Sequence, residues 1–161
     1  MQAVLLSFFG SASAGILFNV RGKRLIYAGI SGTAGYMFYL WALRITGQSI
    51  MAIFIGAIAV GIYSEICARV LKTPSTLFSI PGIFPIVPGI AAYETIQYLA
   101  DNNMTSAGAK LVEALGGSGA IAFGIIIVTA AFRLILGQKS SRLQPGKGSL
   151  KAEENRDENK Q

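Results

Sequence analysis

The chain has 161 residues, 52% apolar and only 14% charged, with a formal net charge of +6, one cysteine and no histidine. Without histidine the chain itself has no imidazole proton relay, His-ligated zinc site or Ser-His or Cys-His catalytic pair, and a lone Cys67 excludes an internal disulfide framework. The basic residues flank apolar runs of about 18 to 23 residues, the length a helix needs to cross a bilayer, so the charge balance points to a polytopic membrane protein and not to nucleic acid.

The first apolar run is Gln2 to Val20. Ser11-Ala12-Ser13-Ala14 has the look of a signal-peptidase site, but no Lys or Arg precedes the run, so it reads as a first span. Arg21-Gly22-Lys23-Arg24 makes a tight basic turn, with Asn19 expected to cap or pack against it. A second span follows from Leu25 to Leu43, with Tyr36, Tyr39 and Trp41 placed for an interfacial aromatic belt. The third span, Ser49 to Ala68, ends with Glu65 and Arg69 one turn apart. That spacing makes an ion pair, and Glu65 is also a candidate proton-coupling carboxylate. Cys67 reads as a small buried hydrophobe.

The fourth apolar segment, Thr76 to Leu99, carries Ser79-Ile80-Pro81-Gly82-Ile83-Phe84-Pro85-Ile86-Val87-Pro88-Gly89. Three prolines remove backbone donors, so no continuous helix can run through it. Freed carbonyls and amides cost several kcal/mol each in hydrocarbon unless protein, water or a ligand satisfies them. Two half-helices joined by an irregular stretch are therefore expected, with Gly82 and Gly89 letting the chain turn. The second half-helix, from Ile90, would present free amides and positive dipole charge to a substrate carboxylate. Ser79, Pro81, Gly82, Pro85, Pro88, Gly89 and Tyr93 are the candidate substrate-binding residues. Glu94 is the second candidate proton carrier, since a desolvated carboxyl titrates nearer neutrality; it can equally pair with Arg44 or Lys110. Between Asp101 and Gly117, Met104, Ala107, Leu111 and Leu115 recur at helical spacing, which suggests a short helix at the outer interface or one packed on the bundle. A fifth span runs from Ser118 to Leu136.

The fold class is thus all-α and integral to the membrane, a bundle of about five transmembrane helices with the fourth broken by the Pro/Gly-rich segment. Residues 1–137 form the transmembrane domain, and residues 138–161 a polar cytoplasmic tail expected to be disordered. With the N-terminus outside, twelve of the fourteen Lys and Arg fall on the cytoplasmic side and only Arg44 and Lys110 on the outer side. Small residues four apart, such as Ser11 and Gly15, Ala28 and Gly32, Ser31 and Gly35, Ala57 and Gly61, and Ala120 and Gly124, predict close helix packing.

Ala14-Gly15-Ile16-Leu17-Phe18-Asn19-Val20 with the basic turn and the glycine-rich second span resembles the start of the smaller subunit of threonine/serine exporter family transporters. Ser64-Glu65, Pro74 and the run Ile80 to Gly89 with Tyr93 resemble that family's later signature. The likeness covers about Gln2 to Leu136. It implies a secondary exporter of threonine and serine, or of a dicarboxylate such as succinate, driven by the proton gradient of a bacterial cytoplasmic membrane. It also implies a larger membrane subunit as partner in split members. The carry-over rests on Pro81, Gly82, Pro85, Pro88 and Gly89, and more loosely on Glu65 and Tyr93. Five spans are few for an alternating-access carrier, which independently points to a second chain or a second copy. No cofactor or metal is expected, and no enzymatic activity. The competing reading is a non-transporting membrane scaffold that assembles a larger partner.

Overall fold

In the computed structural model residues 2–141 are described, with side chains to Ile135. They form six α-helices: α1 Gln2–Leu17, α2 Arg24–Thr46, α3 Ser49–Val70, α4 Thr76–Ile83, α5 Gly89–Ala100 and α6 Met104–Ser141, with a short 3-10 turn Phe84–Ile86 between α4 and α5. The chain divides into two compact units, residues 1–129 and 130–161. The second contains the end of α6, where Leu134 and Ile135 are exposed.

Helix ends account for most of the connections. After α1 the Val20 amide donates to the Gly15 carbonyl and Asn19 to that of Ile16, a Schellman closure. Asn19 takes the left-handed conformation this needs (φ 59°), and its Oδ1 accepts a hydrogen bond from Arg21 Nε at 3.0 Å. The same double closure ends α3, with Thr73 bonding Ala68 and Lys72 bonding Arg69, and ends α5, with Asn103 bonding Tyr98 and Asn102 bonding Leu99. Lys72 (φ 50°) and Asn102 (φ 57°) hold the left-handed positions. Gly47 (φ 64°) closes α2 with one bond to Leu43.

Within the first unit α2 packs against α1, α3 and α4. Small residues decide how close these helices come. Ser11, Ala28, Ser31 and Ala57 are wholly buried, and a Cβ on Gly29 would lie 2.6 Å from the Phe8 ring. One core cluster joins Ile53, Ala57, Val60, Ile86 and Ile121; another joins Ala28, Cys67 and Phe78, flanked by Leu71 and Leu77. Cys67 is thus the buried apolar residue its surroundings called for. The second cluster also sets the ends of the bundle: the start of α2, the end of α3 and the start of α4 meet there, so the basic turn Arg21–Arg24 and the pair Arg69 and Lys72 share one end.

The proline run behaves as backbone chemistry demands. Pro81 sits inside α4, the Phe84 amide bonds back to the Pro81 carbonyl, and Val87 is extended. Pro88 (φ −75°, ψ 54°) is the centre of an inverse γ-turn in which Gly89 N donates to Val87 O at 2.7 Å. The helical stretches on either side meet at a bend of 51°. Neither Gly82 nor Gly89 uses positive φ; the glycines that do are Gly22 and Gly47. Gly82 is instead a contact point, since a Cβ there would overlap Ser31 Oγ and lie 2.8 Å from Val60 Cγ1.

One expectation is corrected. Met104 to Leu115 is no separate interfacial helix but the beginning of α6, which runs unbroken for 38 residues through Gly108, Gly116, Gly117 and Gly119. Gly116 and Gly117 face Ile50 and Ile53 of α3, so close packing holds the helix where its composition suggested a boundary. The helix also passes Gly137 to reach Ser141; the rest of the polar tail lies outside the described residues.

The described residues contain no strand. Two helices, α3 and the stretch Met104–Ile135 of α6, are long and apolar enough to cross a bilayer, and the bent pair makes a third if taken as one span. Helix α2 has 23 residues but is diluted by Gly, Ser, Thr and Tyr, and α1 has only 16. The described residues are all-helical in their regular structure, and the chain is a multi-pass membrane protein.

Candidate functional site

A cavity of about 390 Å³ opens where the broken segment meets α2, α3 and α6. Its volume lies in the range of small-molecule sites. Pro85, Ile86, Val87 and Pro88 form one wall, and the first turns of α5 continue it through Ile90, Ala91 and Glu94. Helix α2 contributes Tyr36 and Tyr39, whose rings stack with centroids 5.9 Å apart. The start of α3 contributes Ser49 and Ile53, and α6 contributes Lys110 and Glu113.

The backbone at this mouth is partly spent. The Gly89 amide bonds Val87 and the Ala92 amide bonds Pro88, which leaves Ile90 and Ala91 with the amides a helix N-terminus cannot satisfy internally. Thr95 is buried and donates to the Ala91 carbonyl at 2.7 Å, so its hydroxyl is not aimed at the cavity.

The charges form one cluster. Lys110 Nζ lies 2.8 Å from Glu94 Oε2 and 3.3 Å from Glu113 Oε2. All three side chains are about one-third exposed as wholes (33 to 39%), but the Glu94 Oε2 that meets the ammonium is itself buried. A single ammonium serves two carboxylates.

The predicted residues separate into three groups. Pro85, Pro88 and Glu94 line the cavity. Ser79, Pro81 and Gly82 are buried in the packing of α4 on its neighbours, Tyr93 is 67% exposed, and Gly89 has open space around it. Glu65 is at the opposite end of α3 from Ser49, 3.2 Å from Arg69 as the i, i+4 spacing foretold. Of the two partners considered for Glu94, Lys110 is the one in contact. The cavity also holds Tyr36, Tyr39, Ser49 and Glu113. The tyrosines had been read only as an interfacial belt, and the sequence signal for Glu113 was its i, i+3 spacing from Lys110.

A second, smaller cavity of about 260 Å³ lies on the far side of Tyr36 and Pro85, lined also by Ser7, Gly10 and Phe84. Nearby, Ser11 Oγ is buried without a hydrogen-bond partner, and Ser31 Oγ lies 3.4 Å from Ser64 Oγ.

The family model described as "Threonine/Serine exporter, ThrE" matches residues 3–131. The chain belongs to the threonine/serine exporter family. It is similar, at 29% identity over 131 residues, to a protein named "Threonine/serine exporter" from Corynebacterium glutamicum, a match covering 81% of this chain and 26% of that one. It is also 30% identical over 115 residues to "Pheromone-regulated membrane protein 10" of Eremothecium gossypii, covering 68% of this chain and 16% of that protein. The chain thus spans about a quarter or less of the length of these curated relatives. No solved structure matches. The family is one of membrane transporters and not of enzymes, and the match extends across the whole broken segment and its cavity.

Proposed function

We propose that the chain is a membrane subunit of a secondary exporter that moves threonine, serine or a related small carboxylate outward in exchange for protons. The observation that carries this is the cavity at the α4–α5 break, which is lined both by the first turn of α5, where helix-terminal amides lack internal partners, and by Glu94. The amides suit a substrate carboxylate and Glu94 suits a proton. Glu65, paired with Arg69 away from the cavity, is the weaker candidate for coupling.

In this reading the segment Thr76 to Ala100 is one broken crossing. Its start packs near Cys67 and Leu71, while its Glu94 lies near Ser49, at the other end of α3. Helices α1, α2 and α3, the α4–α5 pair and α6 then make five crossings of a bacterial inner membrane, with the N-terminus outside. Twofold architecture would come from a larger membrane subunit of the same family or from a second copy, because one bundle has nothing to rock against.

The test is efflux from cells in which the chain is replaced at its own locus, so that any partner is present. Glu94→Gln and Pro85→Ala should abolish proton-driven efflux of threonine and serine with the protein still in the membrane. Normal efflux by both variants overturns the site assignment.

A further inference from the structure

Of the three charged side chains in the cavity, α5 supplies Glu94 and α6 supplies Lys110 and Glu113; the titratable groups facing them from α2 are Tyr36 and Tyr39, and α3 brings only the neutral Ser49. With the tyrosines neutral, the formal charge is minus one. The cluster therefore accepts one more positive charge, and a second would overfill it. We infer that Lys110 and Glu113 are the residues that set this count, and that the one uncompensated charge is taken in turn by a proton and by the ammonium group of the substrate. This rests on the exporter reading above and adds to it how exchange is enforced.

The geometry favours the count over a simple ion pair. Lys110 Nζ is near both carboxylates at once, 2.8 and 3.3 Å away, so neither is fully neutralised, and an arriving cation can share either oxygen set without expelling the lysine. The ammonium of an amino acid meets the carboxylates while its own carboxylate meets the Ile90 and Ala91 amides. A proton fills the same vacancy as the O–H of a carboxylic acid, the only bond made or broken. On the outer side a proton adds and the ammonium leaves; on the inner side the proton is lost to the cytoplasm and the next ammonium enters. One proton moves inward for each zwitterion moved outward, and both cannot ride together. A dianionic solute lacks the ammonium and gains nothing from this cluster.

The experiment manipulates the count. Inverted membrane vesicles from cells carrying the full chain at its own locus are assayed for uptake of labelled threonine across a range of pH. Glu113→Gln raises the charge to zero and should reduce uptake more than about tenfold. Lys110→Gln lowers it to minus two, a charge that one ammonium no longer balances, and uptake should fall more than about tenfold. The double variant Lys110→Gln/Glu113→Gln restores minus one and should return uptake to within about threefold of the parent, whereas independent structural losses would add. A double variant no better than the worse single one overturns the inference. A second arm needs no variant: the hydroxy acid that matches threonine but lacks the ammonium group should not compete with threonine in the parent vesicles, and equal competition also overturns it. Parent vesicles that move neither threonine nor serine would instead sink the exporter reading itself.

Discussion

Two Pro-Gly pairs, Pro81-Gly82 and Pro88-Gly89, look equivalent in the sequence, yet the structure predicts opposite consequences for adding a methyl group at each glycine. At Gly82 a Cβ would overlap Ser31 Oγ of α2, lie 2.8 Å from Val60 Cγ1 of α3 and 3.1 Å from Ser31 Cβ. Two different helices block it, and neither offending atom is the end of a long flexible side chain. Overpacking of this kind costs about 1 to 3 kcal/mol, and a double conflict belongs near the top of that range. Replacing Gly by Ala inside a helix returns about 1 kcal/mol. Gly82→Ala should therefore destabilise by about 2 kcal/mol, a fall in melting temperature of roughly 4 to 8 °C for a chain of this size. Gly89→Ala meets nothing within 4 Å and should shift stability by no more than about 0.5 kcal/mol, in the stabilising direction. Adding Ser31→Ala to Gly82→Ala removes the Oγ overlap but leaves Val60, so about half the loss should return. The assay is thermal unfolding of the purified protein in detergent, read by circular dichroism. Equal melting temperatures for Gly82→Ala and Gly89→Ala, or no recovery in the double variant, would refute the view that Gly82 is a packing contact and not a hinge.

Gly32→Ala should be worse than Gly82→Ala, since its Cβ would overlap Ser11 Oγ, lie 2.6 Å from Ser11 Cβ and 3.2 Å from Pro85 Cγ; loss of a monodisperse peak in size exclusion checks it. At the helix ends, Lys72→Gly should stabilise and Gly47→Ala should destabilise, each by about 1 kcal/mol, because both positions are left-handed and only glycine adopts that conformation freely. Glu65→Gln breaks an ion pair whose arginine is 39% exposed but whose carboxylate is only 12% exposed, so it should cost about 1 to 2 kcal/mol and, on the exporter reading, leave efflux unchanged.

Much of the helix layout was legible because its boundaries are chemical. Basic or polar turns at Arg21–Arg24, Thr46–Gln48 and Thr73–Pro74 separate the helices within three residues of where hydrophobicity ends. The place of the backbone break was legible for the same reason, as proline acts locally. The continuity of Met104 to Ser118 with the last span was not, because its glycines weaken a helix taken alone, and Gly116 and Gly117 are held by Ile50, Ile53 and Pro88, all far off in sequence. The site divides the same way. Pro85, Pro88 and Glu94 stand out as interruptions of an apolar segment. Tyr36, Tyr39, Ser49 and Glu113 do not, since their membership depends on which helix faces which. Gly82 shows how the two can mislead together: the residue singled out was right to notice, but its smallness serves neighbouring helices and not a turn.

The distribution of polarity within the first unit follows from the cost of charge in hydrocarbon. Its ion pairs sit toward the ends of helices, Glu65 with Arg69 at one and Glu94 with Lys110 and Glu113 at the other. Among the described residues, the buried polar side chains are hydroxyls alone: Ser7, Ser11, Ser31, Ser64, Ser79 and Thr95. A hydroxyl costs far less to bury than an ion, and it can donate to a carbonyl that a proline has deprived of its usual amide. Ser11 and Thr73 carry hydroxyls where this remains unspent, and that of Ser11 is buried beside Gly32 without a partner. Tyr36 and Pro85 line both cavities, so the charged chamber and the smaller one beside Ser7, Gly10 and Phe84 share these two residues. Backbone rearranges at least cost where the helix is already broken and the residues carry no charge, and the segment between Ile83 and Gly89 meets both conditions.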